Sequence, residues 1–258
     1  MAKRAFDMCY NAFMKLTVLI PAYNEEKRIG QTLADVSGFL QQQSYDYEIV
    51  VVVNGSKDRT FEVVRGLESN IPHSRAVNYP EPGKGNAVKR GILEEAQGDI
   101  ILFMDADNAT PVSEVAKFMP FFDQGYDVVI GSREVNPDLL KIKQSFKRQI
   151  LGHMSHWLTR FVLLPGIYDS QLGFKAFTKA AAKDIFSSVH ILTWAFDMEV
   201  LAIAQTRGYK IKEVGVLWSE FGGGHVPMKA FAQSFVDLFK IKLKKIAGSY
   251  NKPLTVKA

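Results

Sequence analysis

The run Ile100-Ile101-Leu102-Phe103-Met104 ends on Asp105-Ala106-Asp107 and then Asn108-Ala109-Thr110-Pro111. An unbroken apolar stretch this short, closed by Asp, Asn and Pro, fits a strand covered on both faces, as in a mostly parallel sheet. Open α/β sheets bind ligands beyond the carboxyl ends of their strands, which is where this run carries its polar groups. Residues two apart in an extended segment share a face, so Asp105 and Asp107 can converge on one cation as strand becomes loop. Paired hard carboxylates suit Mg2+ or Mn2+, which bridge readily from protein to a diphosphate. Two solvated loop acids are the plainer alternative, and the sequence upstream weighs against it.

Upstream, Leu16 to Ile20 reads as a strand stopped by Pro21, and Glu48 to Val53 as a second, ended by Asn54-Gly55-Ser56-Lys57-Asp58. Arg75 to Tyr79 is a short third. Between them Ile29, Leu33, Val36 and Leu40 repeat at helical spacing, and Thr60–Leu67 and Ala87–Ala96 read as further helices. Strand alternating with helix in this way predicts an α/β chain, a Rossmann-like three-layer sandwich around a mostly parallel central sheet. No G-x-G-x-x-G follows the first strand, which disfavours a dinucleotide cofactor. Pro82-Gly83-Lys84-Gly85-Asn86 lacks the spacing of a Walker loop. It is either an ordinary turn or a place where two glycines let the backbone approach a phosphate beside Lys84.

Beyond the acid pair, Val112–Phe122 reads as a helix and Tyr126–Ile130 as a strand running into Gly131-Ser132-Arg133. Residues 139–164 then carry Leu139, Ile142, Phe146, Ile150, Met154, Trp157, Leu158 and Phe161 at helical spacing, with basic residues between. Such a segment either faces the core or lies in a membrane interface. Turn and strand follow to Phe177, then helices over Lys179–Phe186 and from Thr193 to about Arg207, a strand over Ile211–Trp218, and a basic amphipathic helix over Met228–Ile246. The expected organisation is an N-terminal arm or short amphipathic helix (1–15), one α/β domain (16–225) and a basic C-terminal helix and tail (226–258).

The single Cys9 excludes an intramolecular disulfide and leaves too few thiolates for a cysteine zinc site. His153, His156, His190 and His225 are not spaced like a metal site. No run of 18 apolar residues and no signal-peptide core is present, so the expectation is a protein in solution or peripheral on the cytoplasmic face of a membrane. The net charge of +5 suits a phosphate ligand, nucleic acid or an anionic membrane alike, and no nucleic-acid motif supports the second.

Taken in order, five stretches resemble family 2 inverting glycosyltransferases of the GT-A fold. They are Leu19-Ile20-Pro21-Ala22-Tyr23-Asn24-Glu25, the turn from Val53 to Thr60, Asp105-Ala106-Asp107, Asp169-Ser170-Gln171-Leu172-Gly173-Phe174-Lys175, and Trp194-Ala195-Phe196-Asp197-Met198-Glu199. The last two resemble the branch of dolichyl-phosphate β-glucosyltransferases and polyprenyl-phosphate mannose synthases. The likeness spans roughly residues 16–225.

The resemblance implies a nucleotide-diphospho sugar over the first half of the sheet, contacted by Pro21, Ala22, Tyr23, Glu25, Asn54, Lys84 and Asp105. It implies Mg2+ or Mn2+ on Asp105 and Asp107, and an acceptor phosphate on Arg133 and Arg148. Two departures stand out. Val53-Asn54 replaces an acidic pair, so a base contact is lost or made by an amide. Ala109 replaces the glutamine of the mannose enzymes, which tilts the donor toward UDP-glucose, with GDP-mannose next.

A lipid phosphate is already anionic and needs only arginines to position it, whereas an alcohol acceptor needs a base. Asp197 and Glu199 are the candidate bases, and a helix cannot present residues two apart on one face, so Asp197 is expected to face the site. The favoured reading is transfer to a polyprenyl or dolichyl phosphate at a membrane surface. A soluble hydroxyl acceptor is the alternative, and a non-catalytic nucleotide-sugar binder, suggested by Val53-Asn54, is the third.

Overall fold

The computed structural model describes residues 14–136, 138, 157–219 and 228–251. Arg148, His153, His156, His225, most of the expected N-terminal arm and residues 139–156 of the expected amphipathic segment lie outside them.

Strands β1 (Lys15–Ala22), β2 (Asp46–Asn54), β3 (Ser74–Tyr79) and β4 (Ile100–Met104) are joined by helices α1 (Ile29–Leu40), α2 (Thr60–Leu67) and α3 (Lys84–Arg90), the last extended by a wider π turn over Gly91–Glu95. A 3-10 turn (Val112–Lys117) and α4 (Met119–Asp123) lead to β5 (Val128–Ser132). After a helical stretch at 157–162 come β6 (Phe174–Thr178), α5 (Lys179–Ser187), α6 (Phe196–Thr206), β7 (Ile211–Gly215) and α7 (Met228–Ile246).

The seven strands form one sheet in the order β3-β2-β1-β4-β6-β5-β7. β6 runs antiparallel to β4 and β5, and the other pairings are parallel. The chain winds outward from β1 through β2 and β3, then crosses back to place β4 on the other side of β1. That reversal opens a crevice at the carboxyl ends of β1 and β4, the position where open α/β sheets hold ligands.

Every residue of β4 is buried. Ile101 and Phe103 belong to the core under α3, α5, α6 and α7, whereas Ile100, Leu102 and Met104 belong to the core under α1 and α2. This period-two division explains the unbroken apolar run, since neither face meets water. Asp105 continues in phase with Ile101 and Phe103, so it emerges on the side of α3 and α6.

Several expected bounds shift. The stretch read as one helix over Val112–Phe122 is a 3-10 turn and a short α-helix. Pro120 at the first turn of α4 lacks the N–H that a continuous helix would use there. The strand expected at Tyr126–Ile130 runs Val128–Ser132, and the one expected to reach Trp218 ends at Gly215. The helix expected from Thr193 starts at Phe196, because residues 193–195 form the turn into it.

Candidate active site

Asp105 leaves β4 with its backbone N–H on the Gly173 carbonyl at 3.0 Å. Its Oδ1 lies 2.5 Å from Lys84 Nζ. Lys84 opens α3 directly after Gly83, whose φ of 126° only glycine adopts readily. The Asn54 carboxamide at the end of β2 donates to the Gly83 carbonyl at 3.0 Å, and Asn86 N–H donates to the Leu192 carbonyl at 3.2 Å. Asn54 is therefore buried and committed to the turn that carries Lys84. Burial alone would depress the Lys84 ammonium, but Asp105, Asp197 and then Asp107 hold it above the usual lysine range.

Asp107 accepts from Ala109 N–H at 3.0 Å. Burial, followed by the neighbouring charge of Asp105, pushes its carboxyl above the usual aspartate range against the pull of Ala109 N–H, Lys84 and Arg28. The two acids thus sit close enough to repel. A cavity of about 140 Å³ opens beside them, lined by Asp105, Asp107, Thr110, Arg133, Gln171 and Trp218 among others. The Thr110 hydroxyl on its wall is buried without a hydrogen-bond partner.

These features fit a hard divalent cation. The donors are oxygens, their mutual repulsion is what a bound charge would relieve, and an orphaned hydroxyl awaits a ligand or water nearby. Among the described residues no three acids, histidines or cysteines are grouped so as to hold a metal ion by themselves. The protein would supply two carboxylates, and diphosphate and water the rest, as Mg2+ commonly requires.

On the far side of Lys84, Asp197 in the first turn of α6 is bonded to Lys175 Nζ at 2.6 Å. Lys175 sits in β6, fully buried, and donates also to the Leu172 carbonyl at 2.6 Å. Burial pushes the Asp197 carboxyl up, while Lys175 and Lys84 pull it down and Asp105 adds to the rise. Glu199, two residues on, faces away: it accepts from the His190 and Ile191 N–H groups at 2.8 and 2.6 Å and from the Tyr250 hydroxyl at 2.7 Å.

The remaining expected residues divide. Arg133 lines the cavity, but its Nε and Nη2 form a fork on the buried Asp169 carboxylate at 2.8 and 3.0 Å. The other guanidinium N–H groups are those left to meet an anion. Pro21 and Ala22 end β1, buried, while Tyr23, the next residue, is 49% exposed. Glu25 forms a two-bond pair with Arg28, both at 2.8 Å. Pro21, Tyr23, Glu25, Asn54 and Lys84 do not line the cavity beside the acids.

Arg28, Thr110, Gln171, Lys175 and Trp218 were not expected at the site. Lys175 had a signal: a lysine in a strand between Phe174 and Ala176 must be paired if buried. Gln171 lies in the family-like stretch Asp169–Lys175, and Arg28, Thr110 and Trp218 had no signal outside tertiary contact.

Gly173 packs its Cα against the Asp105 carboxylate, where a Cβ would overlap it. Gly173→Ala is expected to displace Asp105 and lower turnover about a hundredfold. The backbone there is not left-handed, so any fall in Tm should come only from loosening the Asp105–Lys84 pair and be small beside the loss of turnover. A variant with full turnover would show that the placement of Asp105 does not matter.

The sequence profile of glycosyl transferase family 2 matches residues 17–186. A dolichyl-phosphate beta-glucosyltransferase of Trichomonas vaginalis is 37% identical over 239 residues, 88% of this chain and 72% of that protein. The dolichyl-phosphate beta-glucosyltransferase of Homo sapiens is 34% identical over 252 residues, 92% and 77% respectively. Among solved structures, glucosyl-3-phosphoglycerate synthase from Mycobacterium tuberculosis with UDP superposes with a TM-score of 0.65 at 18% identity, covering 91% of this chain and 80% of that one. The same enzyme with Mn2+, UDP-glucose and phosphoglyceric acid gives 0.64, also at 18% identity.

Proposed function

The chain belongs to glycosyl transferase family 2, and from that premise we propose that it moves a hexose from a nucleotide-diphospho sugar to a polyprenyl or dolichyl phosphate at the cytoplasmic face of a membrane. UDP-glucose is the favoured donor, in line with the names of the relatives and with Ala109, and GDP-mannose is next. The observation that carries the reading is the acid pair at the strand-order reversal, with Lys84 against one acid and Arg133 across the same cavity.

Transfer builds negative charge on the departing diphosphate. Mg2+ or Mn2+ held by Asp105 and Asp107 would neutralise that charge, and Lys84 adds a second cation fixed in advance by Asn54 and Gly83. In this reading Tyr23, with Pro21 and Ala22 at the end of β1, would flank the base and ribose, and Glu25 and Asn54 would support the adjoining loops. The N–H groups of Arg133 not used by Asp169 would hold the acceptor phosphate, assisted in this proposal by Arg148. An anionic acceptor needs no proton removed.

Incubation with labelled nucleotide sugars, Mn2+ and a short-chain polyprenyl phosphate tests this. A lipid-linked product from UDP-glucose is expected, lost with chelator and restored by Mn2+. No lipid-linked product from UDP-glucose, UDP-GlcNAc or GDP-mannose removes the reading. The buried Asp197 carboxylate beside Lys84 favours a second reading, in which it is the base for a hydroxyl acceptor. Asp197→Asn separates them: activity survives in part with a phosphate acceptor and collapses with an alcohol.

A further inference from the structure

We propose that the outer face of α7, together with the 157–162 helical stretch, docks the protein onto a membrane surface carrying anionic lipid. This deepens the lipid-phosphate reading and rests on it only for why a membrane should be near the site.

A helix that packs on a core normally turns one apolar stripe inward and polar residues outward. α7 has two apolar stripes. Leu238 and Ile241 are buried in the core with Tyr250. Val236, Phe239, Leu243 and Ile246, spaced by three, four and three residues, share the opposite face and are 50%, 52%, 67% and 71% exposed. Lys240, 57% exposed and paired with Asp237 at 3.1 Å, borders that stripe on one side and Lys242 on the other, whereas Lys244 turns inward to within 3.6 Å of Glu199.

The neighbouring 157–162 segment, packed against α7, exposes apolar rings as well. Trp157 and Phe161, one turn apart, are both about two-thirds exposed, with ring centroids 4.4 Å apart. Leu158 and Thr159 of that segment line a narrow crevice with Phe235 and Leu238 of α7, and Lys245 Nζ donates to the Leu163 carbonyl at 3.3 Å. Gln171 lines this crevice and also the cavity beside Asp105 and Asp107. The crevice between α7 and this segment therefore adjoins the site through Gln171.

The borders select the occupant. A twofold copy packed stripe to stripe would bring like-charged lysines together, whereas phospholipid offers hydrocarbon to the stripe and anionic headgroups to its edges. Trp157 at the margin suits the headgroup layer, where an amphipathic ring is favoured.

The full chain is floated with vesicles of phosphatidylcholine with and without phosphatidylserine. We expect it to float with phosphatidylserine. Leu243→Glu/Ile246→Glu should lower the bound fraction by about tenfold, and Lys240→Gln/Lys242→Gln should weaken binding by about fivefold for each lysine removed. Brominated lipid should quench the tryptophan emission of the wild type, and Trp157→Phe should remove that quenching, which tests the surface without a charge inserted into a helix. Turnover of a water-soluble short-chain polyprenyl phosphate should be unchanged in all these variants. A wild type that does not float, or a Leu243→Glu/Ile246→Glu variant that floats as well, overturns the docking face. So does a wild-type dimer that this variant dissociates, since a second copy then covers the stripe. Retained turnover of the short-chain acceptor in any of those cases leaves the glycosyl-transfer reading standing.

Discussion

Asp107→Asn is expected to lower glycosyl transfer by about a thousandfold while the ligand-free protein melts at the same temperature or higher. The two effects separate because Asp107 is costly to the fold as a charged group. Burial and the charge of Asp105 raise its folded-state pKa above the ordinary aspartate value. For such an acid, stability is fully present below the unfolded pKa and is lost as pH rises through the folded one. At neutral pH the carboxylate therefore opposes folding, and the neutral amide removes that opposition. The asparagine oxygen still accepts from Ala109 N–H, so the local turn survives. What disappears is half of the pair that would hold a divalent cation. UDP with Mn2+ should raise the wild-type melting temperature by mass action and leave the variant unmoved. A variant that keeps its turnover, or that is still stabilised by UDP with Mn2+, contradicts the assignment of this acid.

Glu199→Ala is expected to act in the opposite sense, on stability first. The side chain is fully buried and receives two backbone N–H groups and the Tyr250 hydroxyl. Burial, followed by Glu199 itself, pushes the Tyr250 hydroxyl well above the usual phenol range, so it stays a donor at any ordinary pH. Removing the carboxylate strands these donors in the core and should cost about 3–5 kcal/mol. For a chain of this length that is roughly 10 °C in Tm. Glu199→Gln, which keeps an acceptor oxygen, should lose less. The consequence reaches the site, because the stretch held by Glu199 also contributes the Leu192 carbonyl that takes Asn86 N–H behind Lys84. A rise in donor KM should accompany the lower Tm. Urea unfolding gives the free energy, and a loss under about 1 kcal/mol would show that solvent or a shifted neighbour replaces the carboxylate.

The pattern of buried strands, the mostly parallel sheet and the position of the acid pair were legible in the residues alone. A strand covered on both faces must be apolar throughout, and Ile100 to Met104 obeys that rule locally, without reference to anything distant in the chain. The same logic placed β1 and β2. It faltered where backbone chemistry overrode periodicity, as at Pro120, where one expected helix became two shorter pieces.

What only the folded chain decided is which charge meets which. The spacing of Asp197 and Glu199 showed that they point apart, but not that one meets Lys175 from β6 while the other closes on a tyrosine 51 residues later. Nor did it show that Arg133 reaches the cavity already forked onto Asp169, 36 residues on, or that α7 turns an apolar stripe outward as well as inward. The reason is one of range. Hydrophobic periodicity records whether a position meets water, a property of the local backbone. An ion pair depends on where crossovers such as the one between β3 and β4 deliver distant segments, and that is settled only when the sheet closes.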